Sequence, residues 1–164
     1  MSHEALDPCL DSLLYIQHSL DMLDTETITA EINEHCLLTR TRQIARVVTA
    51  IYDQELRPYG INSPQFSMLV MISRLRSASR AEMGRANHQD RSTLTRNLQL
   101  IISEGWAEEV PHGASGRSRP IRLTAAGTEL LNRAAAAWRL AQANCASVLG
   151  TFGVTAITDV AKKL

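Results

Sequence analysis

Lysine and arginine are missing from the first 35 residues of this 164-residue chain, a stretch that holds Glu4, Asp7, Asp11, Asp21, Asp24, Glu26, Glu31 and Glu34. A secretory signal opens on basic residues, so an acidic start excludes one, and no apolar run approaches the ~20 residues that cross a bilayer. The expectation is a cytoplasmic protein with no membrane partner. Cysteine is scarce. Cys9, Cys36 and Cys145 are odd in number and widely spaced, which excludes a disulfide framework and a CxxC zinc site. Also missing are a Gly-rich phosphate loop, a GxSxG, an HExxH and any pair of carboxylates in an evident cleft; His3, His18, His35, His88 and His112 lack ligand spacing. His35 and Cys36 are adjacent, but neighbours on a helix point roughly 100° apart and do not hold one ion together without other ligands. No catalytic residue, metal site or cofactor is expected, and the chain is not read as an enzyme.

Net charge is zero, yet the charge is unevenly placed. Beyond residue 35, nine acids face seventeen basic residues, and from Arg74 to Arg122 nine arginines face five acids. That body is locally positive and suited to a polyanion. Within it, Asp90 to Trp106 stands out. Asp90 is a good N-cap, and Leu94, Leu98, Ile101 and Trp106 make one apolar stripe. Arg91, Thr93, Arg96, Asn97 and Gln99 lie off the stripe without a carboxylate among them, a face suited to base edges and phosphates in a major groove. An ordinary surface helix carries a similar pattern, and the helix alone does not decide between the two. Next come a strand over 107–110, a Gly/Ser/Arg loop over 111–119, a return strand at Ile121-Arg122-Leu123, and Thr124 capping a new helix.

Helix, hairpin and helix in this order resemble the MarR family of winged helix-turn-helix regulators. The resemblance rests on Asp90-Arg91-Ser92-Thr93-Leu94-Thr95-Arg96, Glu104-Gly105-Trp106 and Ile121-Arg122-Leu123-Thr124-Ala125-Ala126-Gly127, and runs from about Leu37 to Leu149. It implies a mainly α fold with a small β-hairpin wing and long N- and C-terminal dimerisation helices. The implied organisation is an acidic helical extension over 1–33, dimerisation helices over 34–60 and 125–164, and a winged helix-turn-helix over 61–124. The implied partners are double-stranded DNA, a second copy of the chain and a small aromatic effector. Arg91 and Arg96 would face the major groove, with Ser92, Thr93 and Thr95 positioning the helix and Arg117 and Arg119 entering the minor groove.

Two stretches depart from the family. Asn87-His88-Gln89 is polar where an apolar residue, a Gly and another apolar residue are usual, leaving Met83 and Leu94 to hold the helix crossing. The wing keeps Arg117 and Arg119 but lacks the carboxylates of an Asp-x-Arg-Asp run, with Glu108 and Glu109 as substitute anchors.

Elsewhere, residues 6–23 read as an amphipathic helix, 25–33 as a linker or short helix, and 34–59 as one helix stopped by Pro58 and Gly60. Ser63-Pro64 opens the next helix, with Phe66, Leu69, Val70 and Ile72 inward; Ser79 to Ala86 is a short helix with Ala81 and Met83 inward. From Thr124 to about Leu149 runs a long Ala-rich helix that allows close approach of a partner.

The family's effector pocket lies between the dimer helices and the winged part, where the resemblance brings together Arg46, Tyr52, Phe66, Met68 and Met71. That lining suits an aromatic carboxylate or phenol; a plain core role competes, above all for Phe66 and Met68. Cys36 falls two residues before the reactive Cys position of peroxide-sensing members, which Leu38 occupies, so Cys36 and Cys145 are secondary redox candidates. The reading is a homodimeric repressor of a pseudopalindromic operator, released by a small aromatic ligand or by cysteine oxidation. The alternative is a helical protein-interaction module of the same fold that no longer binds DNA.

Overall fold

The computed structural model describes residues 24–87, 89–110 and 119–163. The helix expected over 6–23, His88 and the loop over 111–118, including Arg117, lie outside them. Backbone contacts divide the chain into two units, residues 1–45 and 46–164.

In the first unit, helix α1 spans Thr25–His35, so the stretch left open between linker and helix is helical. Asp24 caps it by accepting from the Thr27 amide at 2.7 Å, which satisfies one orphan donor of the first turn. At Cys36 the backbone turns extended (φ −68°, ψ 108°), its N–H still bonded to the Ile32 carbonyl at 2.9 Å. Helix α2, Leu37–Leu56, then starts afresh. The single helix expected from Glu34 is therefore two. Neither Gly nor Pro marks the break and the apolar pattern runs through it, so periodicity carried no sign of it. Arg40 donates back to the Asn33 carbonyl at 2.7 Å.

Helix α2 ends in the second unit at the fully buried Leu56, followed by a 3-10 turn at Arg57–Tyr59 and by Gly60 at φ +73°. Helix α3 spans Ser63–Leu75. Its cap is Asn62, one residue before the expected Ser63: Asn62 Oδ1 accepts from the Gln65 amide at 3.0 Å and Gln65 Oε1 from the Asn62 amide at 2.9 Å. Ser63 instead donates its backbone N–H to Asp53 Oδ1 at 2.6 Å, tying α3 to the last turns of α2. The buried face of α3 is Phe66, Met68, Leu69, Met71 and Ile72, with the expected Val70 turned outward. Helix α4, Arg80–Ala86, opens on a Ser79–Glu82 capping box. Met83 points inward as expected; Ala81 does not, and Ala78 takes the buried place ahead of the helix.

Helix α5 spans Arg91–Ser103, and strands β1 (Ala107–Glu109) and β2 (Ile121–Leu123) form the antiparallel hairpin, pairing Ala107 with Leu123, Glu108 with Arg122 and Glu109 with Ile121. The Ile121 amide also bonds the Ala78 carbonyl at 3.0 Å, anchoring the hairpin beside α4. Leu56, Leu69, Ile72, Met83, Leu94, Leu98, Ile101 and Ile121 form the fully buried centre. Each such side chain contributes roughly 1.5–3 kcal/mol.

Helix α6, Ala125–Ala161, is capped by Thr124, whose hydroxyl accepts from the Gly127 amide at 3.1 Å and donates to the Gly105 carbonyl at 2.7 Å. Gly127 is required there: a Cβ would sit 2.0 Å from the Trp106 carbonyl oxygen. At Gly150 (φ 67°, ψ 168°) the backbone leaves helical geometry, close to the expected end near Leu149. Helix α6 is long enough, and on average apolar enough, to cross a membrane by length and composition only, while polar residues interrupt it throughout and no continuous apolar run in it approaches ~20 residues. Alanine makes up the difference, since many small residues raise the average without forming a block of large ones. Leu130, Ala134, Ala137, Ala141 and Cys145 are buried, while Leu140, Val148 and Phe152 are exposed.

Candidate nucleic-acid interface and effector cavity

Helix α5 begins where its cap is strongest. Asp90 Oδ1 accepts from the Ser92 hydroxyl at 2.6 Å and from the Ser92 and Thr93 amides at 3.0 and 2.9 Å. These bonds, the Ser92 hydroxyl first, hold its carboxyl far below the usual carboxylate range, so it stays charged at the positive end of the helix. Leu94, Leu98 and Ile101 are buried, as the stripe predicted. Arg91, Ser92, Arg96 and Gln99 are exposed, while Thr93, Thr95 and Asn97 are half-buried. Thr95 spends its hydroxyl proton on the Arg91 carbonyl at 2.7 Å. The outward face thus carries two guanidinium groups and no carboxylate.

The α4–α5 crossing rests on Met83 and Leu94, both essentially inaccessible to solvent, as expected. A Cβ at Gly84 would meet Leu94 Cδ2 at 3.5 Å and the Gln89 carbonyl at 3.6 Å, ordinary van der Waals contact, so the crossing does not depend on a glycine there. The turn is closed by the Gln89 amide on the Gly84 carbonyl at 3.2 Å and by Asn87 Nδ2 donating to Gln89 Oε1 at 3.2 Å.

At the hairpin, Glu109 serves as the substitute anchor. It takes Arg80 of α4 on Oε1 and Arg119 on Oε2 at 3.4 Å, and Arg80 foremost lowers its carboxyl. Glu108 pairs instead with its cross-strand neighbour Arg122 at 2.8 Å. The exposed Arg119 and Arg122 pairs add little stability, but Glu109 fixes where the Arg119 guanidinium starts from.

A cleft of about 810 Å³ opens between the end of α2, α3, the helix-turn-helix turn and α6. Tyr52, Phe66, Met68 and Met71 line it together, as the resemblance implied. Arg46 does not line it. Six residues before Tyr52 on α2, it points roughly 120° away round the axis, and its side chain is exposed. The lining cation is Arg74, in line with Val70 and Met71 at the steps of four and three that share a helix face. That spacing was available in the sequence. Trp138, Asn87 and Gln89 also line the cleft, and no carboxylate does among the described residues. Burial raises Tyr52, whose hydroxyl donates to Gln142 Oε1 at 2.6 Å.

The two described cysteines differ. Cys36, in the first unit, has its thiol lowered by the Thr39 hydroxyl and amide, with Arg40 the least of the causes. Cys145, in the second, is buried and its thiol is pushed up.

No protein-family model matches the chain. It is 34% identical over 88 residues to the HTH-type transcriptional repressor Rv2887 of Mycobacterium tuberculosis, a stretch covering 54% of this chain and 63% of that one. The chain thus spans about 63% of the length of the curated relatives it first matches. Among solved structures it is 34% identical to the M. tuberculosis transcriptional regulator MosR in complex with DNA, covering 78% of this chain and 92% of that one with a TM-score of 0.68. Rv2887, solved as a MarR family protein in complex with salicylic acid, is 26% identical over 79% of this chain and 96% of that one, TM-score 0.60. MarR of Escherichia coli with operator DNA, at 23% identity, 80% and 96% coverage and a TM-score of 0.69, shares the fold. A capped helix on a short polar turn, a hairpin wing and a long closing helix define a winged helix-turn-helix protein. The chain belongs to the MarR family of transcription regulators.

Proposed function

We propose that the chain is a homodimeric DNA-binding transcription regulator, a repressor at a pseudopalindromic operator that a small aromatic acid releases. The observation that carries this reading is α5, a helix seated on Leu94, Leu98 and Ile101 that turns Arg91 and Arg96 outward with no acid beside them. The DNA complex of MosR supports the same partner here. In this reading 61–124 is the DNA-binding part, and 34–60 with 125–164 pair two copies, giving the apolar residues left exposed on α2 and α6 a surface to cover them. Ser92, Thr93 and Thr95 position α5, Arg91 and Arg96 meet the major groove, and Arg117 and Arg119 enter the minor groove. Two recognition helices then stand about 34 Å apart, one DNA turn. A regulator of this kind is cytoplasmic and no enzyme.

The cleft takes the effector. Phe66, Met68, Met71 and Trp138 bury a ring while Arg74 meets the anion, and the salicylic acid complex of Rv2887 supports such a ligand. A ligand acts by preferring one arrangement of the recognition helices, so its binding and DNA binding weaken each other. Oxidation of the lowered Cys36 thiol is the second route to release.

The test is affinity for DNA from upstream of the chain's own gene, measured by fluorescence anisotropy across salt concentrations. Arg96→Ala is expected to cost roughly 1–3 kcal/mol and relax base preference. Arg117→Ala should weaken all sequences alike and flatten the salt slope by about one unit. Unchanged affinity in both would remove the DNA reading and leave the protein-interaction module. Release by peroxide that Cys36→Ser abolishes, with no response to aromatic acids, would replace the ligand by oxidation.

A further inference from the structure

The cleft is apolar where α2, α3 and α6 form it and polar where the helix-turn-helix turn closes it. Asn87 and Gln89 supply that polar end. Their mutual bond, at 3.2 Å, is at the long limit for N–H to O and is easily redirected. It leaves Asn87 Oδ1 and both Gln89 Nε2 hydrogens without a partner among the described residues. A ligand that covers these amides strips them of water, at a cost that only replacement hydrogen bonds offset.

We infer that Asn87 and Gln89 read the effector: the acid that fits carries, besides the carboxylate held by Arg74, a ring hydroxyl or carboxamide that bonds these two side chains. The inference rests on the effector reading given above and adds the residues that select the ligand's second polar group, a group that salicylic acid, the ligand of Rv2887, also carries. A site built to bond a hydroxyl rejects the analogue lacking it more strongly than an apolar pocket distinguishes a methylene. The same contact explains how occupancy is felt at α5. The Gln89 amide closes the turn on Gly84, and the next residue, Asp90, is the cap of the recognition helix. A ligand that redirects Asn87 and Gln89 therefore acts one residue from that cap, with no relay through the rest of the core.

Calorimetric titration of the full chain with benzoic acid and with 2-, 3- and 4-hydroxybenzoic acid tests this. At least one hydroxybenzoic acid should bind about tenfold or more tighter than benzoic acid. In the Asn87→Ala, Gln89→Ala double variant that ratio should fall to about one, whereas Arg74→Ala should lose all four acids. Gln89→Glu is the second variant should the double one misfold. It keeps the side chain's length and sets a negative charge at the polar end of the cleft, so it should weaken every acid. Hydroxybenzoic acids no tighter than benzoic acid, or a ratio that survives the double variant, would overturn the inference and leave the effector reading standing. Failure of the unaltered chain to bind any of the four would overturn both.

Discussion

The apolar side chains of α5 and those at the far end of α6 have opposite fates. Leu98 and Ile101 are fully buried, whereas Val148 and Phe152 stand 62% and 88% exposed. The helix-turn-helix and hairpin finish their core with residues of their own unit: α3, α4 and β1 pack on α5, β2 and α6 pack on α3, and α3, α4 and α5 each carry a side-chain cap. The outer part of α6 is as apolar, but among the described residues Val148, Phe152, Ile157 and Val160 are left exposed. A helix that stays apolar on its exposed side is suited to a further surface, and for this protein the proposed surface is a second copy.

The largest expected effect comes from breaking the finished side of that contrast. Leu98→Ala leaves a cavity under the recognition helix and should cost roughly 2–5 kcal/mol in urea unfolding. A loss under about 0.5 kcal/mol, the size typical of surface positions, would mean that this core is not the closed one described. Phe152→Asp should do the reverse: little change in helical content by circular dichroism, but a dimer dissociation constant raised roughly tenfold or more in analytical ultracentrifugation. A monomeric mass for the unaltered chain at micromolar concentration would sink the dimer and with it the explanation of the exposed face.

The smallest effect sharpens the contrast through pH. Asp90, Glu82 and Glu109 are all lowered in the folded chain, by Ser92, Ser79 and Arg80 foremost. A lowered carboxylate adds stability that is complete above its unfolded pKa, about 4, and is lost as pH falls through the lower folded value. The winged part should therefore lose stability progressively below about pH 4. Asp90→Asn keeps a capping oxygen without the titrating proton, so its acid limb should be shallower than that of the unaltered chain. An identical limb would place the acid sensitivity elsewhere.

Much of the site was legible because its signals are local. Asp90 before Leu94, Leu98 and Ile101 is a cap followed by a stripe; Thr124 before Gly127 is another cap. Both need only the residues within one turn. The cap of α3 shows the limit of such signals. Ser63-Pro64 and Asn62-x-x-Gln65 are both good openings, and the choice fell to Asn62 because Asp53, ten residues earlier on α2, takes the Ser63 amide. The cleft was half legible. Tyr52, Phe66, Met68 and Met71 were expected together, but Arg46 was chosen over Arg74 because the resemblance located the region without the rotation of α2 about its axis.

By itself the sequence determined the winged helix-turn-helix order, the caps of α5 and α6, and the positive body behind an acidic start. These follow from period, capping chemistry and charge, which act over a few residues. Only the tertiary structure decided that Val70 faces out while Met68 and Met71 face in, that Glu109 rather than Glu108 holds Arg119, and that Gly127 lies against the Trp106 carbonyl. It also decided that Asn87 and Gln89, odd as parts of a helix crossing, line a cleft. Each of these depends on which element arrives from far along the chain, and no spacing within a turn encodes that arrival.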